Sequence, residues 1–427
     1  MTRVEPAAAL VGDIGVPAVK GLCQRGALLA AIADGESELK GFDHSADTDT
    51  ALSVVQALGA AVGEPEPGLV RIGGRGLHGL VPPDRPLDCG NAGTVLRLLS
   101  GILAGQSGRF ELVGDESLSA RPVRVEEPLG RMGARVETNG GRPPVTIEGA
   151  RLRPIRYELP VASAQLKSSV LLAGLLAGEG PTSVIERLPS RDHTERLLRS
   201  LRLRLTRAGA EIRVWPAERI PAFSLELPGD FSSAAPFIVA ATLLSGSDLR
   251  IHDLDVNSTR TGLLDVLERM GARFAVYNRR GAGGEPVADL EVRSAQLQAT
   301  SIGAEEVPRL VDELPLFALA ASFARGESVV TGARELRVKE TDRIETVTTS
   351  LRALGVRITA SEDGFRVRGV PTRPRGGDMR SSGDHRIAML GAVAGLVSRQ
   401  GVELEDPEAV AVSFPGFFEL LESVTQR

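Results

Sequence analysis

Two kinds of apolar segment alternate along the chain. The first is apolar on nearly every side: a polar or charged start, about ten small apolar residues, then a Gly or polar stop. Its copies run over residues 25–35, 91–105, 163–178, 230–246, 312–326 and 384–398. Each predicts a buried helix, with a capping residue in front and often Gly behind. Their starts fall roughly 65 to 80 residues apart, which makes a six-fold internal repeat.

The second kind predicts amphipathic helices that share an ending: Leu58-Gly59-Ala60, Met132-Gly133-Ala134, Ala208-Gly209-Ala210, Met270-Gly271-Ala272 and Leu354-Gly355-Val356. The Gly suits a left-handed helix C-terminus, and the residues after it alternate as in a strand. Short β-rich runs lie between, such as Val145-Thr-Ile147, Phe223-Ser-Leu-Glu-Leu227 and Phe365-Arg-Val-Arg368. Each unit therefore mixes strands with one buried and one half-exposed helix. The units are too long for a thin solenoid, so two pseudo-symmetric α/β domains of three units each is the expected arrangement.

Length agrees: 427 residues exceed one compact core and suit two domains of roughly 200 residues. A net charge of −5 argues against a nucleic-acid or membrane-surface protein, which would carry a basic field. Two cysteines are too few for a disulfide framework and imply a reducing compartment. No apolar run has the roughly 18 residues that span a bilayer. Met1 to Ala9 lack the basic-then-apolar order of a secretory signal. The expectation is a cytoplasmic protein.

Polar residues gather at the predicted helix starts. Buried helices open with Lys20 and Arg25; Asn91, Thr94 and Arg97; Ser163, Gln165 and Lys167; Asp312; and His385 and Arg386. Amphipathic ones open near Asp47 and Asp49, Arg121, Arg191 and His193, Arg260, and the block Lys339-Glu-Thr-Asp-Arg343. A helix N-terminus offers unpaired N–H groups and about half a positive charge, and Arg forks bind carboxylate and phosphate bidentately. If several converge, the ligand is multiply anionic. Against this, an Arg at a helix start is usually a solvated or capping residue, Arg97 suits a structural pairing with a neighbouring acid, and Asp230 is an ordinary N-cap. The block 337–343 is too densely charged for a simple cap, with Lys339, Glu340 and Arg343 falling within one helical turn. In Asp88-Cys-Gly-Asn-Ala-Gly-Thr94, two glycines let backbone approach a ligand closely. Cys23 and Cys89 lack the spacing of a metal or thiol site, and Arg71-Ile-Gly-Gly-Arg-Gly76 lacks the Lys-Ser/Thr of a P-loop.

The segments Gly90-Asn-Ala-Gly-Thr94, Gly114-Asp-Glu-Ser-Leu-Ser-Ala-Arg-Pro122, Ala162-Ser-Ala-Gln-Leu-Lys167, Ser190-Arg-Asp-His-Thr-Glu195, Pro228-Gly-Asp-Phe-Ser-Ser233, Asp312-Glu-Leu-Pro315, Leu336-Arg-Val-Lys-Glu-Thr-Asp-Arg343, Asp384-His-Arg386 and Ser413-Phe-Pro415 carry a resemblance that runs almost end to end. In them the chain resembles the 5-enolpyruvylshikimate-3-phosphate (EPSP) synthase family of enolpyruvyl transferases, also called 3-phosphoshikimate 1-carboxyvinyltransferases. The resemblance implies an inside-out α/β barrel: two similar domains, each of three βαβαββ repeats, with helix N-termini facing a cleft. Residues 1–15 with 229–427 would form one domain and 16–228 the other.

The implied reaction moves the enolpyruvyl group of phosphoenolpyruvate to the 5-hydroxyl of shikimate 3-phosphate and releases phosphate. Carried over by motif, Asp312 is the base, Glu340 the proton donor and Lys20 an assistant. Lys20, Gly93, Arg121, Gln165, Arg343 and Arg386 would hold phosphoenolpyruvate. Lys20, Gly21, Arg25, Ser163, Gln165, Arg191, Asp312 and Lys339 would hold shikimate 3-phosphate, Arg25 meeting its carboxylate and Ser163, Arg191 and Lys339 its phosphate. Domain closure would exclude water. No metal or organic cofactor, nucleic acid or membrane is implied, and a monomer is expected.

One segment departs from the family pattern. Pro17-Ala-Val-Lys20-Gly21 stands where the family usually has Pro-Gly-Asp/Ser-Lys-Ser, so Gly21 removes an acceptor-binding hydroxyl. That weakens acceptor binding or signals a different acceptor. The alternatives are a repurposed paralogue that only binds another phosphorylated anion, and the sister enolpyruvyl transferase for UDP-N-acetylglucosamine. The sister enzyme's loop carries a reactive Cys that Gly114-Asp-Glu-Ser-Leu-Ser-Ala120 lacks. Tolerant family members often have Ala at the place of Gly93, so sensitivity to glyphosate is expected.

Overall fold

The computed structural model describes residues 1–427 and divides into two units. The first comprises Met1–Pro17, Gly229–Arg280 and Pro286–Arg427; the second comprises Ala18–Pro228 with Gly281–Glu285. The five residues 281–285 are the tip of a hairpin whose strands belong to the first unit. They group with the second, where Gly283 and Gly284 lie close to the backbone oxygens of Glu226 and Arg196.

Seven helices lie in the second unit: α1 (Lys20–Ala31), α2 (Ala46–Ala57), α3 (Gly93–Leu103), α4 (Glu116–Ser119), α5 (Glu126–Met132), α6 (Ala164–Leu175) and α7 (His193–Ser200). The first unit holds α8 (Phe231–Leu243), α9 (Gly262–Arg269), α10 (Leu314–Phe323), α11 (Arg343–Ala353), α12 (His385–Val397) and α13 (Phe417–Ser423). The six apolar segments are α1, α3 and α6 in one unit and α8, α10 and α12 in the other. Almost every residue of these six is buried. Each unit thus has a core of helices walled by sheets. In the second unit Leu29, Leu99 and Leu171 share that core; in the first, Phe237, Phe317 and Leu390 do. Burying each such side chain contributes roughly 1.5–3 kcal/mol. Small residues set how close the helices come: a Cβ on Gly101 of α3 would sit 2.1 Å from the Ser169 carbonyl oxygen of α6.

Six sheets surround these cores, and every one contains a parallel pair of strands. The order βαβαββ runs through residues 156–214 and 301–369, and through 87–148 with the short α4 added ahead of α5. In the sheet of Glu36–Lys40, Leu69–Gly73 and Ala61–Glu66, the parallel partner arrives late, as Ser224–Glu226. Strand Ala9–Ile14 likewise pairs with Asp248–Asp255 only after the chain has built the second unit. The sixth copy closes differently: Gly377–Arg380 and Val402–Glu405 are completed by the N-terminal strand Thr2–Val4.

The glycines of the shared endings do what their position demands. Gly59, Gly133, Gly271 and Gly355 have φ of 97°, 115°, 92° and 93° just after α2, α5, α9 and α11. The fifth ending is a correction. Ala208-Gly209-Ala210 is not a helix end but the turn between strands Leu205–Ala208 and Glu211–Val214. Helix α7 stops earlier, and Arg202 takes the left-handed position itself, with φ 59°. Without a Gly there, the sequence carries no mark of the stop. No helix is long and apolar enough to cross a membrane.

Candidate active site

In the second unit, α1 begins at Lys20, and the Lys20 Nζ lies 2.6 Å from Asp47 Oδ2 in the first turn of α2. A Ser45–Thr48 capping box fixes that turn. One turn along α1, the buried Arg25 spreads its guanidinium over three partners. Its Nε donates to Thr194 Oγ1 (2.7 Å), Nη1 to the Gly21 carbonyl (2.8 Å) and Nη2 to Ser168 Oγ (3.4 Å). A Cβ on Gly21 would stand 2.9 Å from Arg25 Nη1. A side chain at residue 21 would therefore press on the guanidinium that folds back over this backbone.

Helix α3 starts at Gly93, where Arg97 turns back to its carbonyl (3.1 Å). Arg97 also donates to Gln165 Oε1 (2.6 Å), Pro122 O (2.6 Å) and Val123 O (3.3 Å). These contacts set the Arg97 guanidinium beside Gly93 at the start of α3. Gln165 in turn donates to Thr94 Oγ1 (2.8 Å), which fixes both ends of its amide. Arg121 does not open an amphipathic helix; it follows the short α4, and α5 begins at Glu126. Its Nη2 is held by Asn91 through Oδ1 (2.7 Å) and the carbonyl (3.0 Å). Ser163 caps α6, its Oγ accepting from Leu166 N at 3.3 Å, which leaves the hydroxyl proton to donate outward. Arg191 lies in the irregular segment ahead of α7.

In the first unit, Arg343 gathers the predicted acid and base. It opens α11 fully buried, with Nε 2.8 Å from Asp384 Oδ2, Nη2 2.8 Å from Glu340 Oε2 and Nη1 3.3 Å from Asp312 Oδ1. Burial opposes its charge, but Glu340, Asp384 and Asp312 outweigh that and raise the guanidinium pKa. Burial likewise pushes the Asp384 carboxyl up, while Arg343 pulls it further down, so its pKa is net lowered. Asp384 also caps α12, accepting from Arg386 N at 2.9 Å, and Arg386 Nη1 donates to Ser232 O at 3.0 Å. The expected helical turn 339–343 is not formed. Lys339, Glu340, Thr341 and Asp342 precede α11, which begins only at Arg343 because Asp342 is its N-cap. Asp312 stands just before Glu313, the residue that precedes α10.

The second unit carries cationic forks beside helix N-termini, where anions bind. The first carries a buried guanidinium in contact with the carboxylates of Asp312, Glu340 and Asp384. Comparison with known proteins then decides the family. The family model EPSP synthase (3-phosphoshikimate 1-carboxyvinyltransferase) matches residues 4–421.

This chain belongs to the EPSP synthase family.

It is an enolpyruvyl transferase of the shikimate pathway. The 3-phosphoshikimate 1-carboxyvinyltransferase of Salinibacter ruber is 47% identical, with 99% of each chain covered. That of Lactiplantibacillus plantarum is 47% identical over 99% of this chain and 98% of its own. Among solved structures, EPSP synthase from Acinetobacter baumannii superposes with a TM-score of 0.88 at 40% identity, covering 99% and 97% of the two chains. The enolpyruvyl transferase NikO from Streptomyces tendae, at 19% identity and a TM-score of 0.77, shares the fold.

Sequence reasoning missed the partners that orient the EPSP synthase residues. Asp47, Thr194, Asn91 and Asp384 all lie in predicted helix starts or motif segments, yet nothing in their spacing tells which side chain each holds.

Proposed function

We propose that Asp312 takes the proton from the 5-hydroxyl of shikimate 3-phosphate and that Glu340 delivers a proton to the methylene carbon of phosphoenolpyruvate. The observation that carries this reading is their common partner, Arg343, which lies within hydrogen-bond reach of both. Lys20, Arg121, Gln165, Arg343, Arg386 and the Gly93 backbone hold phosphoenolpyruvate, whose phosphate and carboxylate call for bidentate cations. Arg25 meets the shikimate carboxylate, with Thr194 and Ser168 setting its fork. Ser163, Arg191 and Lys339 meet the acceptor phosphate, and Lys20, Gly21 and Gln165 complete that site.

Attack of the hydroxyl on the enol carbon gives a tetrahedral adduct. Loss of phosphate with removal of a methyl proton restores the enol ether. Both proton transfers need a carboxylate at hand, and acid–base groups of this kind contribute roughly 10²- to 10⁴-fold each. The protein works in the cytoplasm, in keeping with two buried free thiols. It works as a monomer in this reading. Residues 1–15 with 229–427, and 16–228, act as the two enolpyruvyl transferase domains.

Phosphate release measured with phosphoenolpyruvate and shikimate 3-phosphate, beside a UDP-N-acetylglucosamine control, tests acceptor choice at Gly21. Turnover with shikimate 3-phosphate alone supports the reading, and turnover only with the nucleotide sugar overturns it.

A further inference from the structure

The segment between strand Thr182–Ile185 and α7 carries Arg191 and has no regular structure of its own for most of its length. Its placement falls to a side-chain cluster that the reaction does not use. Lys167, one turn into α6 from Ser163, is fully buried, as are Glu186 and Glu195, with exposures of 0%, 0% and 1%. Lys167 Nζ lies 3.0 Å from Glu186 Oε1, 2.8 Å from Glu195 Oε1 and 3.4 Å from the Ser190 carbonyl. Glu186 Oε1 accepts from the Ser190 backbone N–H (2.8 Å) and from its hydroxyl. Arg207 approaches Glu186 Oε2 at 3.4 Å. The loop is thereby pinned at residues 186, 190 and 195, on either side of Arg191 and next to Thr194, the partner of Arg25.

We propose that Lys167 is a positioning residue for the acceptor: by tying Glu186, Ser190 and Glu195 to α6, it sets Arg191 and Thr194 relative to Ser163. An ammonium with no water around it is costly unless its protons find acceptors; here Glu186 and the Ser190 carbonyl accept from it, and Glu195 in the first turn of α7 lies beside it as a second counter-charge. Burial pushes the Glu195 carboxyl up, and Lys167 opposes that rise. The inference rests on the assignment of Arg191 to the acceptor phosphate.

The test is steady-state kinetics on the full chain, with the Michaelis constant for each substrate measured separately and folding followed by circular dichroism. Lys167→Met alone strands two buried carboxylates, Glu186 and Glu195, so Lys167→Met with Glu186→Gln, which removes one of them together with the cation, is the main variant. It is expected to raise KM for shikimate 3-phosphate about tenfold while KM for phosphoenolpyruvate stays within about twofold. Glu195→Gln keeps an acceptor for Lys167 and is expected to stay near the parent in both. Glu186→Gln alone needs no new cavity and is expected to give a smaller rise in the same constant. If the double variant does not fold, this single variant decides between the outcomes. An unchanged acceptor KM in the folded variant, or a parallel rise in both constants, overturns the proposal. Arg191→Ala separates the two readings. If it too leaves the acceptor KM unchanged, the subsite assignment has failed; if it raises that KM while the Lys167 variants do not, only the positioning role has failed.

Discussion

Arg343 donates through Nη1 to the Asp312 carboxylate at 3.3 Å. One buried guanidinium thus touches the carboxylate proposed as base and, through Nη2, Glu340, the proposed proton donor, at 2.8 Å. Asp384 offsets the cost of its burial, accepting from Nε and Nη2 at 2.8 and 3.0 Å. Removing one partner of a buried ion pair costs about 3–5 kcal/mol.

The Asp384 carboxyl has its folded pKa below the ordinary value. The stability it lends is therefore fully present above the unfolded pKa of about 3.9 and fades as pH falls through the lower folded value. Thermal unfolding followed from pH 7 to pH 3 is expected to show a smaller acid loss in Asp384→Asn than in the parent. Equal losses contradict the pairing.

Lys20 owes its position to Asp47, 2.6 Å away. Asp47→Ala frees a flexible ammonium, and kcat/KM is expected to fall about ten- to a hundred-fold, as for one lost charged hydrogen bond. Steady-state phosphate release checks this, with circular dichroism to show the fold retained.

Thr194→Val keeps the shape of α7 but removes the acceptor of Arg25 Nε, 2.7 Å away. The expected outcome is a rise of about tenfold in KM for shikimate 3-phosphate with little change for phosphoenolpyruvate. Competition kinetics with shikimate, which keeps the carboxylate and lacks the phosphate, reads the same loss.

A methyl at residue 93 would sit 2.8 Å from Arg97 Nη1 and 3.4 Å from Leu118 Cδ1. Gly93→Ala must therefore push the Arg97 guanidinium, which holds Gln165. The parent is expected to be glyphosate-sensitive. The variant is expected to raise the glyphosate inhibition constant by more than it raises KM for phosphoenolpyruvate; inhibition assays at fixed acceptor concentration read both.

Much of this is legible along the chain because apolar periodicity reports burial directly. The six all-apolar helices and four of the five glycine endings need no tertiary information. Ala208-Gly209 misleads because a hairpin turn and a helix end make the same demand for positive φ, and the true stop at Arg202 bears no glycine. The block 337–343 reads as helical because its charges are spaced like neighbours on a helix, yet Asp342 caps α11 and unwinds what precedes it. The contacts of Arg97 with Gln165 and with the Pro122 carbonyl join residues far apart along the chain, and no local pattern announces them. Pairings across long sequence separations, such as Arg25 with Thr194, come from the tertiary fold and leave no local mark.

The assignment of Asp312 is tested most directly by the single-turnover rate of Asp312→Ala with both substrates bound, with binding of shikimate 3-phosphate measured separately by calorimetry. The account predicts a rate lowered about 10²- to 10⁴-fold in a folded protein that still binds the acceptor. A variant that turns over at the parent rate contradicts it.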